Sequence, residues 1–259
     1  ALERTVSDRQ AAFSDRTVSE KLFGKDMVIS ASRAETYYKC PFSYFCKYGL
    51  KLKPLKKAEL DPAQSGTVIH YCLENVLSCY DRDTLAAMSA KQLRAAVKDT
   101  LSEYAESRLG GLEGKDARFA HMLDRLTDTV TDVLLRLVSE FAVSDFVPAA
   151  FELSIAPDGE IAPYRLPLEN GGSLRIVGSV DRVDTMKKNG KTYLRVVDYK
   201  SGGKTFDLSE VLSGLNMQML IYLYAIQENG AEIFGEILPS VVMFVPAKSV
   251  EDKLESNAA

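Results

Sequence analysis

Asp181 closes one apolar alternating run, Gly178-Ser179-Val180-Asp181, and Asp198 and Lys200 close the next, Leu194-Arg195-Val196-Val197-Asp198-Tyr199-Lys200. Between them lies Lys187-Lys188-Asn189-Gly190-Lys191, with the Asn-Gly pair that marks a tight hairpin. In a strand, residues two apart share a face, so Asp198 and Lys200 project together while Tyr199 points away and offers its backbone carbonyl nearby. Two acids and an amine at one sheet end are the groups that phosphodiester hydrolysis needs. A hard divalent cation, Mg²⁺ or Mn²⁺, takes oxygen ligands, here Asp181 and Asp198. Lys200 beside it can position or help deprotonate the attacking water and neutralise charge as it builds on the phosphate.

An Asp-x-Lys triplet at a strand end is also ordinary surface chemistry, so the rest of the chain has to supply context. Gly66-Thr67-Val68-Ile69-His70-Tyr71-Cys72-Leu73-Glu74 reads as a glycine turn entering a helix with His70 and Glu74 on one face. His70 is one of two histidines, and its imidazole is either a metal ligand or a packed core residue. Gln218 and Tyr222 fall on one stripe of a later helix. Lys47, Lys51, Lys53, Lys56 and Lys57 cluster around Leu50 with Tyr44, Phe45 and Tyr48 interleaved. That mixture suits stacking and phosphate contacts along a single strand, and equally a core helix followed by a solvated charged turn.

Periodicity assigns the elements that must hold these groups. Helical spacing predicts helices at about 32–48, 64–79, 84–108 and 116–144, the last with a core stripe from Met122 to Phe141. Pro148 ends that helix, and Gly110-Gly111-Leu112-Glu113-Gly114 separates two of the others. Strands follow at about 150–156, 162–168, 173–185, 192–199 and 239–245, with a helix at about 207–228 before the last. Asn170-Gly171-Gly172 supplies a second hairpin turn. A hairpin plus a helical crossover gives an α/β fold, a mixed sheet flanked by helices with an amino-terminal helical layer. Residues 1–26 are expected as an extended lead-in, and 27–259 as one domain, with 27–147 mainly helical and 148–246 the catalytic α/β core.

The order Gly66 to Glu74, Phe151-Glu152-Leu153, Asp181, Asp198-Tyr199-Lys200 and Gln218-Met219-Leu220-Ile221-Tyr222 resembles the RecB-like branch of the PD-(D/E)XK nuclease superfamily, whose fold is restriction-endonuclease-like. The run from Ile29 to Phe45, with Cys40-Pro41 inside it, is similar to the segment opening the nuclease domain of AddB-type helicase-nuclease subunits. The resemblance covers roughly residues 27 to 246 and is weakest between 80 and 145. It implies that His70, Asp181 and Asp198 are metal ligands with the Tyr199 carbonyl, and that Lys200 is the catalytic lysine. Glu152 would be a further acidic residue at the start of the core sheet, and Gln218 and Tyr222 a helical pair contacting DNA or steadying the site. Cys40 matches the first ligand of a four-cysteine 4Fe-4S cluster. The other cysteines, Cys46, Cys72 and Cys79, all precede the catalytic motifs, so a cluster is expected only in a longer native chain. The chain begins at Ala1 without an initiator methionine and is expected to be an excised domain.

Composition bounds the function. At 259 residues, 46% hydrophobic and 26% charged, the chain can bury a large core. A net charge of −4 argues against a protein that coats nucleic acid nonspecifically, although a site built of carboxylates lowers the total by itself. No secretory leader or membrane span is legible, and four unpatterned cysteines fit a reducing cytoplasm. No phosphate-binding loop for ATP occurs. Together with the resemblance, this gives a Mg²⁺-dependent deoxyribonuclease, an exonuclease domain cutting single-stranded DNA alongside a helicase-nuclease partner during double-strand-break repair. The alternatives are a stand-alone or CRISPR-associated RecB-like nuclease and a catalytically silent DNA-binding scaffold module.

Overall fold

The Asn189-Gly190 hairpin sits at the centre of the sheet. In a computed structural model describing residues 15–53, 62–111, 117–169, 171–200 and 208–247, β4 (Ser173–Lys188) and β5 (Lys191–Lys200) pair antiparallel from Arg182↔Val197 to Lys188↔Lys191. Asn189 and Gly190 both take positive φ, 54° and 74°, the geometry a two-residue hairpin turn requires. β6 (Ile237–Pro246) runs parallel to β5 along its other edge. The sixteen-residue β4 also pairs with β2 (Val147–Ile155) and β3 (Arg165–Pro167), both antiparallel, and with β1 (Asp26–Ser30), parallel. The sheet is therefore mixed, as predicted.

Side-chain alternation buries it on both faces. Leu194, Val196, Val180 and Val183 pack into one core with Met219, Leu223 and Ile226 of α9 (Gln218–Asn229). Val197 and Tyr199 point the other way, into a core built from α4 (Pro62–Cys79), α6 (Ala90–Arg108) and α7 (Ala117–Val143). Two helical layers around a sheet are the α/β, restriction-endonuclease-like architecture expected. The stripe of α7 is core: Val130, Val133, Leu134 and Phe141 are fully buried.

Several predicted elements are cut into pieces by identifiable residues. The helix expected at 32–48 becomes α2 (Ala31–Lys39), α3 (Pro41–Tyr44) and a π-helical turn over Phe45–Gly49. Cys40 is extended (φ −161°, ψ 102°) because Pro41 disfavours a helical conformation in the residue before it. The helix expected at 84–108 is α5 (Arg82–Ala87) followed by α6, whose start is fixed by a capping box between Ser89 and Gln92. The helix expected at 207–228 is α8 (Leu208–Leu212) and α9, parted by Gly214 (φ 77°) and Asn216 (φ 54°). The strand expected at 162–168 is only β3, three residues long.

Within the segment expected as an extended lead-in, Arg16–Phe23 form the helix α1, capped by Asp15, and Asp26 already belongs to β1. Four-residue α10 (Ala231–Phe234) is too short for periodicity to signal. Lys56, Lys57, Asn170 and residues 1–14 lie outside the described residues.

Candidate active site

Four elements bring the sequence-predicted residues to one end of the sheet. Asp198 is 4% exposed, and both its oxygens lie close to the Lys200 ammonium, Oδ1 at 2.9 Å and Oδ2 at 2.7 Å. Only the first contact has hydrogen-bonding geometry, so Oδ2 is a buried acceptor with no aligned donor among the described residues. Tyr199, between them, turns its ring into the opposite core and its backbone toward the site. Its N–H donates to Asp181 Oδ2 at 2.7 Å, and its carbonyl oxygen lies 2.9 Å from His70 Nε2. The imidazole of His70, presented by α4, thus spans two strands, with Nδ1 3.4 Å from Asp181 Oδ1.

Glu152 arrives from β2 by a distortion. In the register between Phe151↔Arg182 and Leu153↔Val180 it falls opposite Asp181, and it carries φ +44°, a left-handed conformation inside a strand. Its Oε2 accepts a hydrogen bond from Ser179 Oγ at 3.0 Å, and its Oε1 lies 4.0 Å from His70 Nδ1. Ligand atoms of His70, Glu152 and Asp181 all lie within 4.8 Å of one another. Sequence alone sets Glu152 beside the ligand set; the structure draws it into the tightest group, with Asp198 adjacent and held on Lys200.

The protonation equilibria all report surplus negative charge. Burial pushes the Asp198 carboxyl above its usual range and repulsion from Asp181 adds to that, against the pull of Lys200 and His70. Burial likewise raises Glu152, with Asp181 and Glu74 adding to it and the Ser179 hydrogen bond and His70 opposing. For His70, burial opposes the charged form, yet the hydrogen bond and charge of Asp181 outweigh it and lift the imidazole above its ordinary 6.5.

From α9, Tyr222 packs its hydroxyl onto the backbone of Gly178 so closely that a Cβ there would lie 1.8 Å from the oxygen. Gly178 is therefore a site residue to which sequence alone assigns no role; a glycine inside a strand is its signal. Burial pushes the Tyr222 phenol up to about 12, against a hydrogen bond from Gln218, with Asp198 and Asp181 adding to the rise. Gln218 and Tyr222 are thus partners at the rim of the acidic cluster.

Cys40 is exposed, and its Sγ accepts from Ser43 N at 3.4 Å as the cap of α3. All four cysteines are free, and burial raises the Cys72 thiol to about 12. Among the described residues no cysteines gather into a metal-holding group, so this chain does not by itself fit an iron-sulfur cluster. Lys47 lies 5.2 Å over the Tyr48 ring, and Arg33 stacks 4.6 Å over the same ring. Tyr48, Tyr44, Tyr37 and Tyr38 form a ladder of ring contacts, the last two more than half exposed, with exposed Lys51 and Lys53 close by in the sequence.

A sequence profile of the PD-(D/E)XK nuclease superfamily matches residues 28–255. The chain belongs to that superfamily. It is 32% identical over 245 residues to the AddB-type ATP-dependent helicase/deoxyribonuclease polypeptide of Caldanaerobacter subterraneus subsp. tengcongensis, covering 94% of this chain and 21% of that protein. The equivalent polypeptides of Clostridium novyi and Geobacillus thermodenitrificans are each 33% identical, over 87% and 88% of this chain and 20% of theirs. The chain thus spans about a fifth of the length of the curated relatives it matches. No helix among the described residues is long and apolar enough to cross a membrane.

PD-(D/E)XK nucleases use divalent metal ions, and the residues here fit one. The orphaned Asp198 Oδ2, raised carboxyl groups and a converging imidazole and carbonyl form an oxygen-rich donor set short of positive charge. The left-handed φ of Glu152 can be tested by itself. Glu152→Ala keeps the strained Cβ and Glu152→Gly removes it, so the glycine variant should be more stable than the alanine variant by about 1 kcal/mol in denaturant melts, although both lose the carboxylate. Equal stability would show that the backbone there is unstrained.

The pH dependence has a definite sign. With His70 raised in the folded state, the stability it contributes is fully present below 6.5 and is lost as pH rises through the higher folded value. The raised carboxyls of Glu152 and Asp198 act in the same sense at lower pH. Metal-free protein should therefore lose thermal stability on going from pH 6 to pH 8, and His70→Gln should flatten that trend. An unchanged slope in the variant would remove His70 from the cluster.

Proposed function

We propose that this domain is a Mg²⁺- or Mn²⁺-dependent deoxyribonuclease that hydrolyses phosphodiester bonds of single-stranded DNA. In this reading it is an exonuclease domain of a longer helicase-nuclease polypeptide that works in the cytoplasm with a partner subunit during double-strand-break processing. One observation carries the chemistry: His70, Glu152 and Asp181 converge within ligand distance of one another beside a buried Asp198–Lys200 pair. The biological setting draws support from the relatives, which are named as subunits of ATP-dependent helicase/deoxyribonucleases.

His70, Asp181, Asp198 and the Tyr199 carbonyl would hold the cation, with Glu152 adjacent. When bound, a divalent cation supplies Lewis-acid activation of the phosphodiester and of water. The Lys200 ammonium, fixed by Asp198, is placed to donate to a phosphate oxygen as negative charge grows there and to orient the attacking water. That water forms the new P–O bond as the P–O bond to the leaving sugar oxygen breaks. One proton leaves the water and one reaches the leaving oxygen. Tyr222 and Gln218 steady the rim against Gly178. Lys47, Lys51 and Lys53, with the half-exposed Tyr37 and Tyr38, would take the strand by phosphate contact and base stacking. Cys40 would ligate an iron-sulfur cluster only with cysteines from beyond this chain.

The complete set of ligands and lysine weighs against a silent scaffold. Incubating end-labelled single-stranded and duplex oligonucleotides with Mg²⁺ tests the reading. Degradation of the single strand, stopped by chelation and by Asp181→Asn, is expected. Cleavage that survives chelation, or that consumes duplex and spares the single strand, would overturn it.

A further inference from the structure

Behind the candidate site, on the face of the sheet that packs under α7, runs a buried chain of charge. Glu140 of α7 accepts from Arg195 Nη1 at 2.7 Å, and Arg195 Nε donates to Asp184 Oδ2 at 2.8 Å. Asp184 in turn accepts from Arg182 Nη2 at 3.0 Å, and Arg182 Nη1 donates to the Tyr199 hydroxyl at 2.8 Å. Arg182 and Asp184 are 0% exposed, Arg195 6% and Tyr199 3%. Two guanidinium groups balance two carboxylates, so the ladder carries no net charge. Alternation along β4 and β5 puts all four of its sheet residues on one face, opposite Asp181 and Asp198.

Such a ladder is a costly way to fill a core. Taking ions out of water costs several kcal/mol each, and apolar side chains of similar volume frequently stabilise as well or better. What the ladder does that apolar packing cannot is fix one hydroxyl. That hydroxyl belongs to Tyr199, whose N–H is bonded to Asp181 and whose carbonyl is bonded to His70. The three polar groups of Tyr199 therefore tie the ladder to both groups that face the acidic cluster.

We infer that Arg182, braced by Asp184, Arg195 and Glu140, is a positioning residue for the candidate metal site and acts through the Tyr199 hydroxyl. It touches neither cation nor substrate. It fixes the depth of β5, and with it the separation of the Tyr199 carbonyl, Asp181 and His70. The inference rests on the metal-site reading only for its effect on affinity; the positioning of His70 by Tyr199 stands independently of any metal.

Tyr199→Phe deletes the hydroxyl alone. In that variant Mn²⁺ affinity measured by calorimetry should fall about tenfold, the lower end of what outer-shell contacts contribute. In the metal-free protein, the ¹⁵N shifts of the His70 ring should move as its hydrogen bond to the Tyr199 carbonyl loosens. Val130→Ala serves as the control. It truncates the same core on α7, about 15 Å along the helix from Glu140, and should lose stability while keeping wild-type Mn²⁺ affinity and His70 shifts. If Tyr199→Phe keeps both, or if Val130→Ala perturbs them equally, the ladder is structural only and the inference falls. Wild-type protein that binds no Mn²⁺ would sink the metal-site reading instead, and the His70 shifts would still decide the positioning role.

Discussion

Replacing Lys200 by alanine is expected to lower metal-dependent DNA cleavage by a factor on the order of 10²–10³, the loss typical of removing one preorganised donor from a transition state. The effect should fall on turnover. Lys200 is the ammonium nearest the carboxylates, held 2.9 Å from Asp198 Oδ1, and no other lysine or arginine pairs with Asp198 or Asp181 among the described residues. The variant also leaves Asp198 buried without its counter-ion, and burial already pushes that carboxyl upward. Asp198 should then take up a proton at higher pH, so part of the loss should return as the assay is made more alkaline. Asp198→Ala removes a candidate ligand and should abolish cleavage at every pH. Thermal melts separate chemistry from folding: Lys200 is about one quarter exposed at a strand end, so its removal should shift the melting temperature little. Unchanged cleavage in either variant would refute the assigned roles.

Arg182→Ala is expected to destabilise the domain by about 3–5 kcal/mol, because breaking a buried ion pair strands its partner charge in the core. For a chain of this size that corresponds to a fall in melting temperature on the order of 10 °C. The side chain has no exposed surface, it is the largest of the fully buried side chains, and its removal leaves Asp184 facing only Arg195 and leaves the Tyr199 hydroxyl without that donor. The double replacement Arg182→Met with Asp184→Leu keeps the charge balance, since Arg195 and Glu140 remain paired, and should recover most of the loss. A melting temperature for Arg182→Ala within a degree of wild type would show that water or neighbouring groups satisfy Asp184 and that the ladder is not tightly coupled.

These two residues mark what the sequence can and cannot disclose. Lys200 is legible because its chemistry depends on spacing: two residues from Asp198, at the end of an alternating run, after a hairpin that brings Asp181 alongside. The sheet that carries them is legible for the same reason, since period-two alternation and an Asn-Gly turn are local signals. His70 is legible as a type, a histidine on a helix face, and its convergence with Asp181 from a distant part of the chain comes from the family pattern. Arg182 is not legible. In sequence it is a charged residue between Asp181 and Val183, and only the packing of α7 over that face, with Glu140 aimed at Arg195, turns it into a buried ion.

The left-handed backbone at Glu152 is hidden for a different reason. Nothing in Phe151-Glu152-Leu153 marks positive φ, and the distortion follows from pairing with β4 opposite Asp181. The helix breaks are partly readable. Cys40-Pro41, the Ser89-x-x-Gln92 capping box and Gly214 are local punctuation, masked in the sequence by the continuity of the apolar stripes.

His70 Nε2 and the Tyr199 carbonyl are hydrogen-bonded here, and as joint ligands they would have to part so that a cation can lie between them. A crystal structure with Mn²⁺, read from its anomalous signal, makes that visible. The expected result is one ion contacting His70, Asp181 and Asp198, with the hydrogen bond from His70 to the Tyr199 carbonyl broken and the Lys200 amine beside the ion. Manganese bound elsewhere, with His70 still bonded to Tyr199, would contradict the assignment of this cluster as a nuclease metal centre.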